Sequence, residues 1–303
     1  MDERMMLSEV VRGMMKYAIT SALLLLLAGC QDSGGEVNEE VNGQTDEQTA
    51  DQEDVMTLPV LMYHDFSEDV EDSLTVHPED LDDHLTALYD AGYETVTDQD
   101  IVDFREGDED ALPDQPILIT IDDGYVSNYE LAYPIFEEHE MKATIYVIAE
   151  RRDTGYDNHF TWEQAREMQD SGWINIQHHS YNHHEYVETA SGGEEPILVA
   201  VQPEETQEEY RERIHEDLQK AKERIEEEVG NHVHSLTFPY GRYNEEVLEV
   251  SREIGLDLFF TVREAMNGME EIETGILHRF NVPGGMSGDE LIAMLENRDG
   301  EED

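Results

Sequence analysis

Cationic side chains are scarce in this sequence: 18 lysines and arginines stand against 74 aspartates and glutamates, a formal net charge of −56. A chain this negative repels DNA, RNA and anionic lipid headgroups, which excludes a nucleic-acid-binding role. Self-repulsion on this scale is tolerable where salt screens it, so the composition points to a salt-rich or alkaline habitat. Cysteine is almost absent. A single Cys30 cannot form an intramolecular disulfide, so no disulfide framework holds the fold. Long apolar runs are also missing, since the uninterrupted stretch from Ser21 to Ala28 is too short to span a bilayer permanently. No internal repeat is visible. What the 303 residues do contain is periodic, clustered apolar sequence through most of their length, enough to bury a full core and unlike a disordered acidic chain.

The composition shifts along the chain mark four parts. Residues 1–29 carry Arg4, Arg12 and Lys16, then the short apolar stretch, then Gly29, the pattern of a secretory signal peptide. Leu27-Ala28-Gly29-Cys30 resembles the bacterial lipobox, which implies a lipid on Cys30 and attachment to the extracellular face of the cell membrane. Residues 30–57 are rich in Gln, Asp, Glu, Gly, Asn and Thr with almost nothing to bury, an acidic flexible tether. Residues 58–297 hold the folded domain, and 298–303 form an acidic tail. Met14-Met15-Lys16 would serve as a start as well as Met1.

Within the domain, short apolar runs alternate with amphipathic stretches. The runs begin at Pro59, Ile117, Ala143, Ile174, Leu236 and Leu258, and the last covers Ile276 to Val282. Near-continuous β-branched and aromatic runs suit parallel strands buried on both faces. Helices are expected over Pro78 to Asp90, Asn128 to His139, Trp162 to Asp170, Thr206 to Val229, Asn244 to Ile254 and Gly288 to Glu296. Thr161 to Gln164 fits a capping box, and Gly230 and Gly255 stand where C-terminal caps belong. The Thr206–Val229 segment, long and acidic, reads as a solvated outer helix. Strand–helix alternation repeated about seven times argues for an α/β fold, a distorted (β/α) barrel of about seven parallel strands.

In such a barrel, functional side chains come from the C-terminal ends of strands. Three strand ends are unusual here. Asp122 and Asp123 are adjacent carboxylates that resist joint ionisation unless a cation neutralises one; Asp-Asp-Gly is equally ordinary turn chemistry. His178, His179, His183 and His184 follow the next-but-one strand and offer metal ligands of the kind zinc prefers, although any one of them alone reads as an incidental histidine. Two histidines with Asp123 would leave a coordination position open for water, the pattern of a catalytic site. Phe238-Pro239-Tyr240-Gly241 ends a third strand and reads equally as a strand–loop junction or as a turn exposing backbone N–H groups.

In this order and separation the three segments resemble the motifs of the polysaccharide deacetylases of carbohydrate esterase family 4, the NodB-homology group, over residues 58 to 297. The resemblance implies Asp122 as general base and Asp123, His179 and a later histidine as metal ligands. The common family spacing selects His183, and the spacing of the poly-β-1,6-N-acetylglucosamine branch selects His184. His184 is favoured because Met62-Tyr63-His64, Ser180-Tyr181-Asn182 and Pro239 to Asn244 also resemble that branch. Two departures stand out. Thr237 occupies the place where most members carry an arginine that helps hold the base, and the late Leu-to-His motif of the general acid is not clearly present. In the branch just named the acid is the histidine ending the first strand, here His64; His278 is a rival, with a buried structural role its more natural reading.

The activity implied is metal-assisted hydrolysis of N-acetyl groups on an extracellular polysaccharide, with Asp122 taking a proton from water, the backbone N–H of Tyr240 facing the oxyanion, and His64 protonating the leaving amine. Zinc is the default metal, and an Asp-His-His set also suits cobalt, nickel or iron. The implied substrate is poly-N-acetylglucosamine, with peptidoglycan, chitin oligomers and xylan as variants that the motifs do not separate. A catalytically silent polysaccharide-binding lipoprotein is the alternative from another class.

Overall fold

The computed structural model describes residues 56–69 and 72–298. The signal segment, Cys30, all but the last two residues of the expected tether and the tail beyond Arg298 lie outside them. Nine strands form one sheet in which every pairing is parallel: β1 (Val60–Tyr63), β2 (Glu94–Val96), β3 (Pro116–Ile121), β4 (Ala143–Val147), β5 (Ile174–His178), β6 (Ser235–Thr237), β7 (Leu258–Phe260), β8 (Ile276–Leu277) and β9 (Phe280–Asn281). Their order is β8-β7-β6-β5-β4-β3-β1-β9, with β2 beside the first half of β3. The two ends of this order, β8 and β9, are separated in the chain only by His278 and Arg279. The sheet edges must therefore meet, and the barrel closes through two residues of chain instead of a hydrogen-bonded ladder.

Two features account for the count exceeding the expected seven. The Ile276–Val282 run is not one strand: its first part pairs with β7 and its second with β1. The short Glu94–Val96 strand carries too little apolar sequence to announce itself. Alternate residues of the strands feed two cores. Val60, Leu118, Tyr146, Leu258 and Phe260 point to the barrel interior with Leu58, Val96 and Ile101. Leu61, Ile117, Ile119, Ile145 and Val147 face the surrounding helices. Burial on both faces is why these strands read as continuous apolar runs. The interior also holds one carboxylate. Asp98, fully buried, accepts from Thr144 Oγ1 (2.5 Å), Tyr146 Oη (2.9 Å), Asn175 Nδ2 (2.9 Å) and Ser235 Oγ, tying β4, β5 and β6 together.

The helices are α1 (Pro78–Asp90), α2 (Asp98–Arg105), α3 (Tyr133–His139), α4 (Ala149–Thr154), α5 (Trp162–Ser171), α6 (Gln207–Val229), α7 (Glu245–Glu253), α8 (Met269–Thr274) and α9 (Gly288–Arg298). The expected Asn128–His139 helix begins with a π-helical turn over Asn128–Ala132 before α3. Short α2, α4 and α8 were not expected, because six to eight residues leave too little periodicity to read. Helix α6 starts at the reciprocal Thr206/Glu209 capping box and stops at Gly230, whose φ of 83° no β-carbon favours. It is less solvated than its charge suggests. Tyr210, Ile214, Leu218, Ala221, Ile225 and Val229 bury one face, and the larger of these side chains contribute about 2 kcal/mol each. Asp217 lies on that same buried face.

With 74 acidic and 18 basic residues, the folded surface is dominated by like charge. Raising NaCl from about 0.05 to about 1 M, which shortens the screening length from over 10 Å to about 3 Å, is expected to raise the thermal midpoint. A midpoint indifferent to salt, followed by circular dichroism, would show that self-repulsion is not a limiting cost.

Candidate metal and catalytic site

Every candidate side chain in the domain, His278 after β8 included, sits at or just beyond the C-terminal end of a strand. His64 follows β1, Asp122 and Asp123 follow β3, His179 to His184 follow β5, and Tyr240 follows β6. The backbone leaves its ordinary range at three of these exits. Asp123 (φ 70°), Ser180 (φ 74°) and Tyr240 (φ 56°) are three of the five non-glycine residues with positive φ among those described. Each such residue costs about 1–3 kcal/mol and persists only where neighbours hold it.

Asp123 Oδ1 lies 3.2 Å from His184 Nε2 and 3.6 Å from His179 Nε2, and the ligand atoms of the three residues all lie within 4.8 Å of one another. The Nδ1 of His179 meets the backbone carbonyl of Thr237 at 2.8 Å, with the Thr237 hydroxyl also in contact. Donation from Nδ1 to that carbonyl leaves the Nε2 lone pair aimed at Asp123. Burial and the neighbouring His179 push His184 down to about 4, so its imidazole is neutral at pH 7 and able to ligate. Asp123 Oδ1 is itself buried with no hydrogen-bond partner. An orphaned carboxylate oxygen between two imidazole nitrogens is a poor arrangement for a protein alone and a suitable one for a divalent cation, with the nitrogen and oxygen donors that zinc takes.

His183 is not part of this group. Its Nδ1 lies 3.7 Å from Asp217 Oδ2, and burial pushes its pKa down to about 3. His178 holds the turn: its Nδ1 accepts from the Ser180 N–H at 2.8 Å and its Nε2 meets the Leu218 carbonyl at 2.9 Å. His278 contacts Thr261 Oγ1 at 2.9 Å, and Arg263 and Glu271, not the site carboxylates, are its charged neighbours. His64, by contrast, feels Asp122, Asp123, Arg279 and His179. Burial lowers its pKa while the two carboxylates push back, and its buried Nδ1 has no partner. The Tyr240 ring packs against His184 (centroids 4.6 Å apart) and Tyr186 (4.7 Å), with its hydroxyl 3.2 Å from the His184 carbonyl.

Sequence reasoning missed the residue that holds Asp122. Arg279, fully buried, donates from Nη1 to Oδ1 at 2.9 Å and from Nη2 to Oδ2 at 2.8 Å; its Nε donates to the Thr261 carbonyl at 2.9 Å, and Nη1 also reaches Thr120 Oγ1 at 3.2 Å. Burial by itself would raise the Asp122 carboxyl, but Arg279, with His179 beside it, holds it well below the usual carboxylate range. The support that an arginine before Pro239 would give thus comes from the break between β8 and β9, while Thr237 in that place steadies His179. The signal was present: an arginine inside the apolar Ile276–Val282 run can be buried only with an acidic partner.

Replacing Arg279 with Met would leave Asp122 buried and unpaired, a loss of about 3–5 kcal/mol in stability by urea unfolding. The same change should move the acid limb of the pH–rate profile upward, because the group that keeps Asp122 ionised at low pH is gone; an unmoved limb would deny Arg279 that role. His184→Ala should abolish zinc retention in dialysis, whereas His183→Ala should keep it. The reverse pattern would exchange the roles of the two histidines.

With this geometry in hand, comparison with known proteins is informative. Residues 109–259 match the family model described as polysaccharide deacetylase. Over 243 residues the chain is 32% identical to YxkH of Bacillus subtilis (strain 168), a protein assigned to the polysaccharide deacetylases, covering 79% of this chain and 76% of that one. It is 26% identical over 236 residues to the poly-beta-1,6-N-acetyl-D-glucosamine N-deacetylase of Escherichia coli (strain K12), matching 71% of this chain but 35% of that longer protein. The BpsB deacetylase domain from Bordetella bronchiseptica shares the fold with a TM-score of 0.66 at 28% identity, over 75% of this chain and 96% of that one. The parallel barrel, the loops at its strand ends and an extended match to YxkH agree, and this chain belongs to the polysaccharide deacetylase family.

Proposed function

We propose that this protein is a metal-dependent N-deacetylase of an extracellular polysaccharide, with poly-β-1,6-N-acetylglucosamine as its substrate, and that it works as a lipoprotein anchored through Cys30. The observation that carries the reaction is the orphaned Asp123 oxygen between His179 and His184, next to an Asp122 that Arg279 keeps ionised. The similarity to the E. coli N-deacetylase supports the choice of polymer. The anchor and the extracellular location rest on the signal segment and on Leu27 to Cys30.

Asp123, His179 and His184 would hold the metal, with zinc the first expectation and cobalt, nickel or iron compatible with the same donors. A divalent metal there supplies Lewis-acid activation of the acetyl carbonyl and of the attacking water. Asp122 accepts the proton of that water as the new carbon–oxygen bond forms. Its carboxylate cannot rotate away, because both oxygens are fixed by the Arg279 fork. The carbon–nitrogen bond then breaks, and His64 passes a proton to the departing sugar amine. Transfer of the proton from Asp122 to His64 restores both groups; burial lowers the His64 pKa, and the charges of Asp122 and Asp123 oppose that lowering. The backbone N–H of Tyr240 would serve the developing oxyanion, and the Tyr240 ring packs against His184.

Acetate release from poly-β-1,6-N-acetylglucosamine by the purified domain, assayed beside an Asp122→Asn variant, tests this directly. Release should fall by at least about 100-fold with chelator or with the substitution, and return when zinc is added back to the parent. Release that survives chelation would refute metal dependence. No release from this polymer, with release from peptidoglycan, chitin oligomers or acetylated xylan, would move the substrate. No release from any would favour a silent binding protein on the same fold.

A further inference from the structure

Two turns carry the three ligand residues, and one short helix touches both. On one side, Arg152 of α4 donates from Nη1 to the carbonyls of Asp123 (3.1 Å) and Ile148 (2.9 Å), and from Nη2 to the carbonyl of Gly124 (2.5 Å). Its guanidinium lies 4.4 Å over the Phe160 ring and is flush with Gly124, where an added β-carbon would stand 1.7 Å from Nη2. Arg152 is buried, and its side-chain hydrogen bonds go to backbone carbonyls. On the other side, the first N–H groups of α4 bond the histidine-bearing turn: Ala149 N–H to the Ser180 carbonyl (3.2 Å) and Glu150 N–H to the Tyr181 carbonyl (2.9 Å). Asp217 of α6 holds that turn from beneath, accepting from the N–H groups of Tyr181 (2.9 Å) and Asn182 (2.8 Å). The positive-φ residues Asp123 and Ser180 are the ones these contacts enclose.

We propose that α4 is the brace that sets the distance between Asp123 and the imidazoles of His179 and His184, with Arg152 as its positioning residue. This rests on the metal-binding reading above. The charge of Arg152 argues for geometry as its purpose. It lies close enough to Asp123 for the two charges to interact, and a cation beside a metal site opposes metal binding electrostatically. On charge alone, removing Arg152 would tighten the metal. If Arg152 positions the ligand, removing it loosens the metal, because Asp123 is no longer held in its strained conformation. The sign of the change separates the two.

Zinc affinity of the full chain, measured by competition with a chromophoric chelator, should fall by about 10- to 100-fold in Arg152→Gln. Arg152→Lys should recover only part of it, since a single ammonium cannot replace a planar fork on three carbonyls. The visible spectrum of the cobalt-loaded variant should shift relative to the parent, reporting altered coordination, and guanidinium ion should restore affinity to Arg152→Ala. Phe160→Leu, which removes the face beneath the guanidinium but leaves every charge in place, should show a smaller loss in the same direction and serves if the Arg152 variants do not fold. Unchanged or tighter zinc binding in a folded Arg152→Gln, Arg152→Lys or Phe160→Leu protein would overturn the proposal. A parent chain that binds no zinc would overturn the metal-binding reading and this inference together.

Discussion

The barrel depends on what happens at its seam. Strands β8 and β9 belong to one stretch of chain but pair with opposite ends of the sheet, and the residues between them cannot continue either ladder. Arg279 occupies that break. Its guanidinium bonds the Thr261 carbonyl just beyond β7, Thr120 on β3 and both oxygens of Asp122 beyond β3, so one side chain at the seam joins strands from the two halves of the sheet. A buried arginine is costly unless its donors are met by a carboxylate and good acceptors. Closing the barrel and ionising the proposed base are therefore the same interaction.

The site is assembled from segments that the backbone would not adopt unaided. Asp123, Ser180 and Tyr240 all have positive φ, and they mark the exits of β3, β5 and β6. Each exit is held by contacts from elsewhere. Arg152 bonds the carbonyls of Asp123 and Gly124, His178 and Asp217 bond the N–H groups of the turn after β5, and the Tyr240 ring packs at a tilt against His184 and Tyr186. Strain stored at the strand ends is offset by hydrogen bonds from the outer shell, a division that suits a site needing fixed ligand positions.

The scarcity of cations makes their placement informative. Among the described arginines, Arg152 and Arg279 are buried at the site, Arg213 fastens α6 to the loop before it through Glu205, and Arg224 fastens α6 to α4 through Asp153. Asp153 in turn accepts from Trp162 Nε1 and Tyr181 Oη, which links the end of α4 to α5 and to the histidine turn. Exposed ion pairs are worth little individually, so the excess of acidic groups on the surface adds charge more than stability.

The fold class was legible because burial on both faces leaves continuous apolar runs, and that pattern survives in a single sequence. The Asp-Asp, histidine-cluster and Pro-Tyr segments were legible for a related reason: each is polar chemistry placed directly after such a run. Splitting Ile276–Val282 between two neighbours was not, since pairing partners are a property of the closed sheet. Nor was Arg279, whose partner stands 157 positions away in the chain. The sequence by itself placed His183 and His184 side by side as candidate ligands, differing by one residue of spacing. Only the tertiary structure brought His184 to Asp123 and turned His183 toward Asp217, because the direction of each ring depends on the positive φ of Ser180 and on the hydrogen bonds α6 makes to the turn, and neither is a property of local sequence.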